Sequence, residues 1–86
     1  MLKLLATKQF QKDLKKLPTY IVDTTDNIIP KLRLDPLNSG LNIKKLKNIE
    51  PTVWRLRIGN YRLVYTFNKE SLTLLRFRHR KDIYRF

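Results

Sequence analysis

Hydrophobic and polar positions change period along this chain, and the changes mark its elements. Leu2 to Ala6 is an apolar run of strand length. Thr7 follows as a candidate N-cap. Phe10, Leu14 and Leu17 then fall at i, i+4 and i+7, one face of a helix over Lys8–Leu17 that Pro18 stops. Ile21, Ile28 and Leu32, with Thr25 between, keep that period in a second helix which Thr19 can cap. Pro30 stands inside the pattern and predicts a kink or break near Ile29. Asp35-Pro36 ends it, and Asn38-Ser39-Gly40 reads as a loop.

The period then becomes two. Val53 to Phe67 alternates on both sides of Gly59-Asn60, which predicts a β-hairpin with a two-residue turn. Pairing the arms sets Ile58 against Tyr61, Leu56 against Leu63 and Trp54 against Tyr65, a core face. The other face sets Arg57 against Arg62 and Arg55 against Val64. Like charges directly opposite one another destabilise a sheet, so a polyanion is the natural counter-ion. Leu72 to His79 predicts one more strand, with Leu75 and Phe77 on one face and Arg76 and Arg78 on the other. The pairing that buries Leu75 and Phe77 gathers Arg55, Arg57, Arg62, Arg76 and Arg78 on the open face; the opposite pairing would bury arginines at high cost. Lys44 to Lys47 reads as a short edge strand with Leu46 inward and Lys45 and Lys47 outward. Those lysines either block edge pairing or extend the basic surface. Helices on one face of an antiparallel sheet make an α+β domain.

Eighty-six residues allow one domain, 1–86. The sequence has no cysteine, which fits a reducing cytosol, and no apolar run long enough for a signal peptide or a membrane span. Nineteen Lys and Arg against seven Asp and Glu give a net charge of +12 and a pI of about 10.4. That balance favours nucleic acid, an anionic membrane or an acidic partner. Distribution narrows the choice. Only Arg33 precedes Arg55, and the other arginines cluster in the second half, where a planar guanidinium suits phosphate. Lys8, Lys12, Lys15 and Lys16 lie off the apolar stripe of the first helix. Such a face is ordinarily solvated, and a nucleic-acid surface is the less economical reading.

The tail from Arg78 to Phe86 holds the single histidine, His79, beside Arg80, Lys81, Arg85 and Tyr84. Positive neighbours disfavour the imidazolium, which would leave His79 able to accept a proton. Tyr84 can pack in a core or stack on a base. No His, Asp or Glu cluster stands at metal-ligand spacing, and Asp82 reads as a salt-bridge partner for its neighbours.

Three stretches carry a resemblance: KKLKN (Lys44–Asn48), WRLRIGNYRLVY (Trp54–Tyr65) and RHRKDIYR (Arg78–Arg85). With the order strand, two helices, antiparallel strands, the chain resembles toxins of the RelE/ParE superfamily, from bacterial and archaeal toxin–antitoxin pairs. The resemblance implies a helical hairpin packed on a small curved antiparallel sheet. RelE-like members cut mRNA in the ribosomal A site, while ParE-like members inhibit DNA gyrase without catalysis. In RelE-like toxins, basic residues matching Arg55, Arg57, Arg62 and Arg78 and the tyrosine matching Tyr84 handle the scissile RNA. Lysines in the best-known members stand where this chain has Arg55 and Arg57. Arginine does not act as a proton acceptor, so the general base would come from His79, Lys81 or Tyr84. The expected reaction needs no metal or cofactor, because the RNA 2′-OH can attack the adjacent phosphate. Arg57, Arg62 and Arg78 would hold phosphate, with Arg55, Arg76, Arg80, Arg85, Lys45 and Lys47 extending the RNA contact. The implied partners are mRNA, the ribosome and an acidic or amphipathic antitoxin, all in the cytoplasm.

Overall fold

A computed structural model describes residues 1–47 and 52–82. Strand β1 (Lys3–Ala6) leads into helices α1 (Lys8–Leu14) and α2 (Thr19–Leu34), followed by strands β2 (Ile43–Lys47), β3 (Val53–Ile58), β4 (Tyr61–Phe67) and β5 (Ser71–His79). The sheet runs in the order β1-β5-β4-β3-β2. Four C-terminal strands pair antiparallel in sequence, as the alternation predicts. The edge strand β1 joins β5 in parallel, so the sheet as a whole is mixed.

Local chemistry accounts for the helix boundaries. Thr7 caps α1: its hydroxyl accepts from Phe10 N at 3.1 Å. The helix ends at Leu14, and turns carry the chain through Leu17. In α2 the cap position is Pro18, without a side-chain bond, and Thr19 is the first helical residue. The expected break near Ile29 does not occur, because α2 runs through Pro30. Pro30 is exposed, so its ring and the carbonyl it leaves without an amide donor fall on the solvent side. Buried Ile21, Thr25 and Leu32 hold both halves of the helix to the sheet.

One face of the sheet and the two helices enclose the core. Phe10, Ile21 and Leu32 meet Leu56, Ile58, Leu63, Tyr65, Leu72, Leu74 and Phe77, all buried. Phe10 stacks on Phe77 with ring centroids 6.1 Å apart. Each such side chain contributes roughly 1.5–3 kcal/mol on burial, which is what fixes the sheet's two faces. The β3–β4 hairpin has the expected register, Trp54 to Tyr65 through Ile58 to Tyr61. Gly59 has φ +58° and no non-glycine residue has a positive φ among the described residues, the pattern of a II′ turn.

The β4–β5 ladder departs from strict alternation. Leu63 faces Phe77 and Val64 faces Arg76, but Tyr65 faces Leu74, leaving Leu75 as the extra residue of a bulge. Leu74 therefore takes the core position expected for Leu75. Leu75 instead packs with Leu46, Val53 and Val64 in a second, smaller apolar cluster. Val64 is the open-face partner of Arg55 in the ladder.

Beyond Ala6 the β1 ladder stops, and α1 supplies the bonds that a neighbouring strand would make to β5. Thr7 N donates to Leu74 O (3.1 Å), the Thr7 hydroxyl donates to Leu75 O (2.9 Å), and Phe77 N donates to Asp13 Oδ2 (3.0 Å).

Candidate functional site

Cross-strand pairing sets the basic residues in rows on the face away from the helices. Arg57 of β3 pairs with Arg62 of β4, which pairs with Arg78 of β5. The next row is Lys44, Arg55, Val64 and Arg76. Adjacent strands lie about 4.8 Å apart, so the first row brings three guanidinium stems across a span of about 10 Å. The alternation required this grouping, and the ladder makes it.

Within that grouping the side chains differ. Arg57 is exposed, and Arg55 and Arg78 are half-buried. Arg62 is only 5% exposed. Its Nη1 donates to Gly59 O at 3.1 Å and to Tyr61 O at 3.0 Å, so the guanidinium is drawn back onto the turn. It fixes a positive charge beneath the surface and offers little area for direct contact.

Arg76 leaves the row. Its Nε donates to Asp13 Oδ2 at 2.8 Å and its Nη2 to Asp13 Oδ1 at 3.3 Å, a two-pronged pair. Burial pushes the Asp13 carboxyl up, but the Arg76 guanidinium, the Phe77 amide and the nearby Arg78 charge outweigh it and hold the carboxyl below its ordinary value. Arg76, expected among the open arginines, is thus tied to a buried carboxylate on α1. This is the one ion pair among the described residues; no carboxylate pairs with Arg55, Arg57 or Arg78 among them.

The edge strand β2 also differs from expectation. Its bulge between Lys45 and Lys47 reverses the parity. Lys45 pairs with Trp54 on the helix side, its Nζ 5.7 Å from the Trp54 ring centroid. Leu46 joins the small apolar cluster on the open face. Lys44, which sequence reasoning passed over, is the β2 lysine that pairs with Arg55. Lys47 pairs with Val53 in the backbone ladder.

His79 ends β5 opposite Tyr61, with ring centroids 5.3 Å apart and planes nearly perpendicular. Its parity is that of Phe77, opposite to Arg78. Lys81 N donates to His79 Nδ1 at 3.2 Å. A ring nitrogen that accepts carries no proton, so the neutral imidazole holds its proton on Nε2. In this arrangement the Nδ1 lone pair of His79 is engaged by the Lys81 amide. Arg80 and Lys81 are exposed in the closing turn, where Arg80 N donates to Asn60 O at 2.8 Å and Asp82 N to His79 O at 2.8 Å. Asp82 is an element of this turn and lies in no ion pair among the described residues. Tyr84 and Arg85 lie outside the described residues.

Between α1 and the end of β5 is a concavity of about 390 Å³ bordered by Lys12, Lys16, Tyr61, Arg78, His79 and Asp82, among others. Of the four lysines on and after α1, only Lys12 and Lys16 border it. Their spacing of four was visible in the sequence; their approach to Arg78 depends on the fold.

Comparison with known proteins gives concordant results. The family described as the ParE toxin of the type II toxin–antitoxin system, parDE, matches residues 4–84. Toxin RelE3 of Methanocaldococcus jannaschii is 38% identical over 85 residues, covering 96% of both chains. The structure is similar to the RelB–RelE antitoxin–toxin complex from Methanococcus jannaschii, with TM-score 0.80, 36% identity and coverage of 94% of this chain and 95% of that one. It is also similar to the RelBE2 toxin–antitoxin complex from Mycobacterium tuberculosis, with TM-score 0.73, 27% identity and coverage of 91% and 96%.

Proposed function

The chain belongs to the RelE/ParE superfamily of toxins from type II toxin–antitoxin pairs, and from that premise we propose that it is an mRNA endonuclease acting on the ribosome. The observation that carries the reading is the row Arg57–Arg62–Arg78, three guanidinium groups on adjacent strands; among the described residues no carboxylate pairs with Arg57 or Arg78, the two that reach the surface. Stacking like charge across a sheet opposes folding and is offset when a polyanion binds. The identity to Toxin RelE3 favours this reading over inhibition of gyrase.

The chemistry asked of the protein is alignment, charge stabilisation and two proton movements. The RNA 2′-oxygen attacks the adjacent phosphorus, losing its proton as the bond to the 5′-oxygen breaks and that oxygen gains one. Arg57 and Arg78 contact the phosphate as negative charge builds, Arg55 assists, and Arg62 adds a fixed field from beneath. His79 or Lys81 moves these protons, and Tyr84 positions the base or the 2′-OH. Arg80, Arg85, Lys44 and Lys47 extend the backbone contact; Lys45, on the helix side, and Arg76, paired with Asp13, lie apart from it.

By the same reading the toxin works in the cytoplasm and is held inactive by a cognate antitoxin. An acidic or amphipathic antitoxin segment would mask the arginine face. Among the described residues no helix is long and apolar enough to cross a membrane. The test is incubation of purified protein with programmed ribosomes, followed by mapping of transcript ends. Cleavage that requires both ribosome and protein is the expected result. Intact transcripts under conditions where the protein still stops growth would overturn the proposal, and loss of gyrase supercoiling in their place would favour the non-catalytic activity.

A further inference from the structure

We propose that the cleft between α1 and the end of β5 is a second phosphate site, holding the RNA backbone to one side of the scissile bond. This rests on the ribonuclease reading and adds Lys12 and Lys16 to the residues that touch RNA. Both border the cleft with Arg78, while Lys8 and Lys15 do not. Arg78 belongs to the arginine row and to the cleft rim at once, so the two basic regions are continuous.

The edge of β5 permits this continuity. No strand covers β5 beyond Leu74, since β1 ends at its pairing with that residue. A nucleic-acid backbone can therefore pass from the open face around the strand edge to α1. Asp13 borders the cleft, yet it does not cancel the lysines: both its oxygens already accept from Arg76, and Oδ2 also from Phe77 N. With Arg76 spent on Asp13, Asp82 is the other carboxylate on the rim, against Lys12, Lys16 and Arg78. The balance is cationic.

Each phosphate contact on single-stranded nucleic acid contributes about 0.7 to the slope of log affinity against log salt. Wild-type protein, Lys12→Gln/Lys16→Gln and Lys8→Gln/Lys15→Gln are titrated with a short single-stranded RNA across a range of salt. The two double variants have the same net charge, and all four lysines are exposed, so folding is preserved and checked by thermal melting. The cleft variant should show a slope shallower by about 1.4, close to a seven-fold smaller loss of affinity between 50 and 200 mM salt. The Lys8/Lys15 variant should keep the wild-type slope. Equal effects from both variants, or no effect from either, would overturn the second site while leaving ribosomal cleavage by the wild type untouched. Absence of both binding and cleavage in the wild type would instead remove the ribonuclease reading on which the site depends.

Discussion

Removing the Asp13 carboxylate tests how α1 is fastened to the sheet. The carboxylate accepts three bonds, two from Arg76 at 2.8 and 3.3 Å and one from Phe77 N at 3.0 Å. Its side chain is 9% exposed and that of Arg76 is 25% exposed. In Asp13→Ala the Phe77 amide stays buried without an acceptor, costing about 1–3 kcal/mol. The lost charge-assisted bonds to Arg76 lie near the low end of about 1.5–3 kcal/mol, because water reaches the guanidinium. The sum is about 3 kcal/mol, or roughly 12–24 °C in Tm for a chain of this size. Asp13→Asn keeps an acceptor for Phe77 and should cost about half as much. Urea unfolding followed by tryptophan fluorescence measures both. Acid gives a second check. The folded-state carboxyl titrates below its ordinary 3.8, so its contribution is complete above that value and is lost as pH falls through the folded pKa. The stability gap between wild type and Asp13→Ala should therefore narrow once pH drops below about 3.8. A gap under about 1 kcal/mol at pH 7, or one that does not narrow in acid, refutes the assignment of Asp13 as the fastening.

Other substitutions separate catalysis from folding. Arg57→Ala or Arg78→Ala should lower transcript cleavage on ribosomes by about 10²–10³ with little change in melting temperature; full activity would remove them from the mechanism. Tyr65→Phe loses the 2.6 Å bond from the phenol to Pro36 O, and urea unfolding should show about 1 kcal/mol of destabilisation. Gly59→Ala places a Cβ in a left-handed turn position with ordinary contact to Ile21 at 3.7 Å. The cost should be about 1 kcal/mol from the backbone alone, read as a lower Tm.

The hairpin and its arginine face were legible because period-two alternation and a Gly-Asn turn fix register residue by residue, and β3–β4 kept every expected pair. The helices were legible from their apolar stripes and from Thr7. What alternation could not reveal were the two bulges. Each inserts a leucine, Leu46 or Leu75, into a patch on the open face, and each shifts the parity of its neighbours. That is why Lys44 replaces Lys45 beside the arginines and why Leu74 replaces Leu75 in the core. The Arg76–Asp13 pair joins residues 63 apart in sequence, a distance over which no local pattern speaks. Arg62 looked exposed from its face, but flanking strands and the turn carbonyls enclose it.

By standing in for a missing strand, α1 gives the toxin a latch. Three backbone groups of β5, on Leu74, Leu75 and Phe77, depend on two side chains and one amide from the first thirteen residues. Prising that segment away would unseat the strand that carries Arg78 and His79 and leave a bare, adhesive margin open to any extended peptide. The start of the polypeptide thereby governs the alignment of its far end, and a ligand that merely lifted α1 could silence the molecule without touching an arginine.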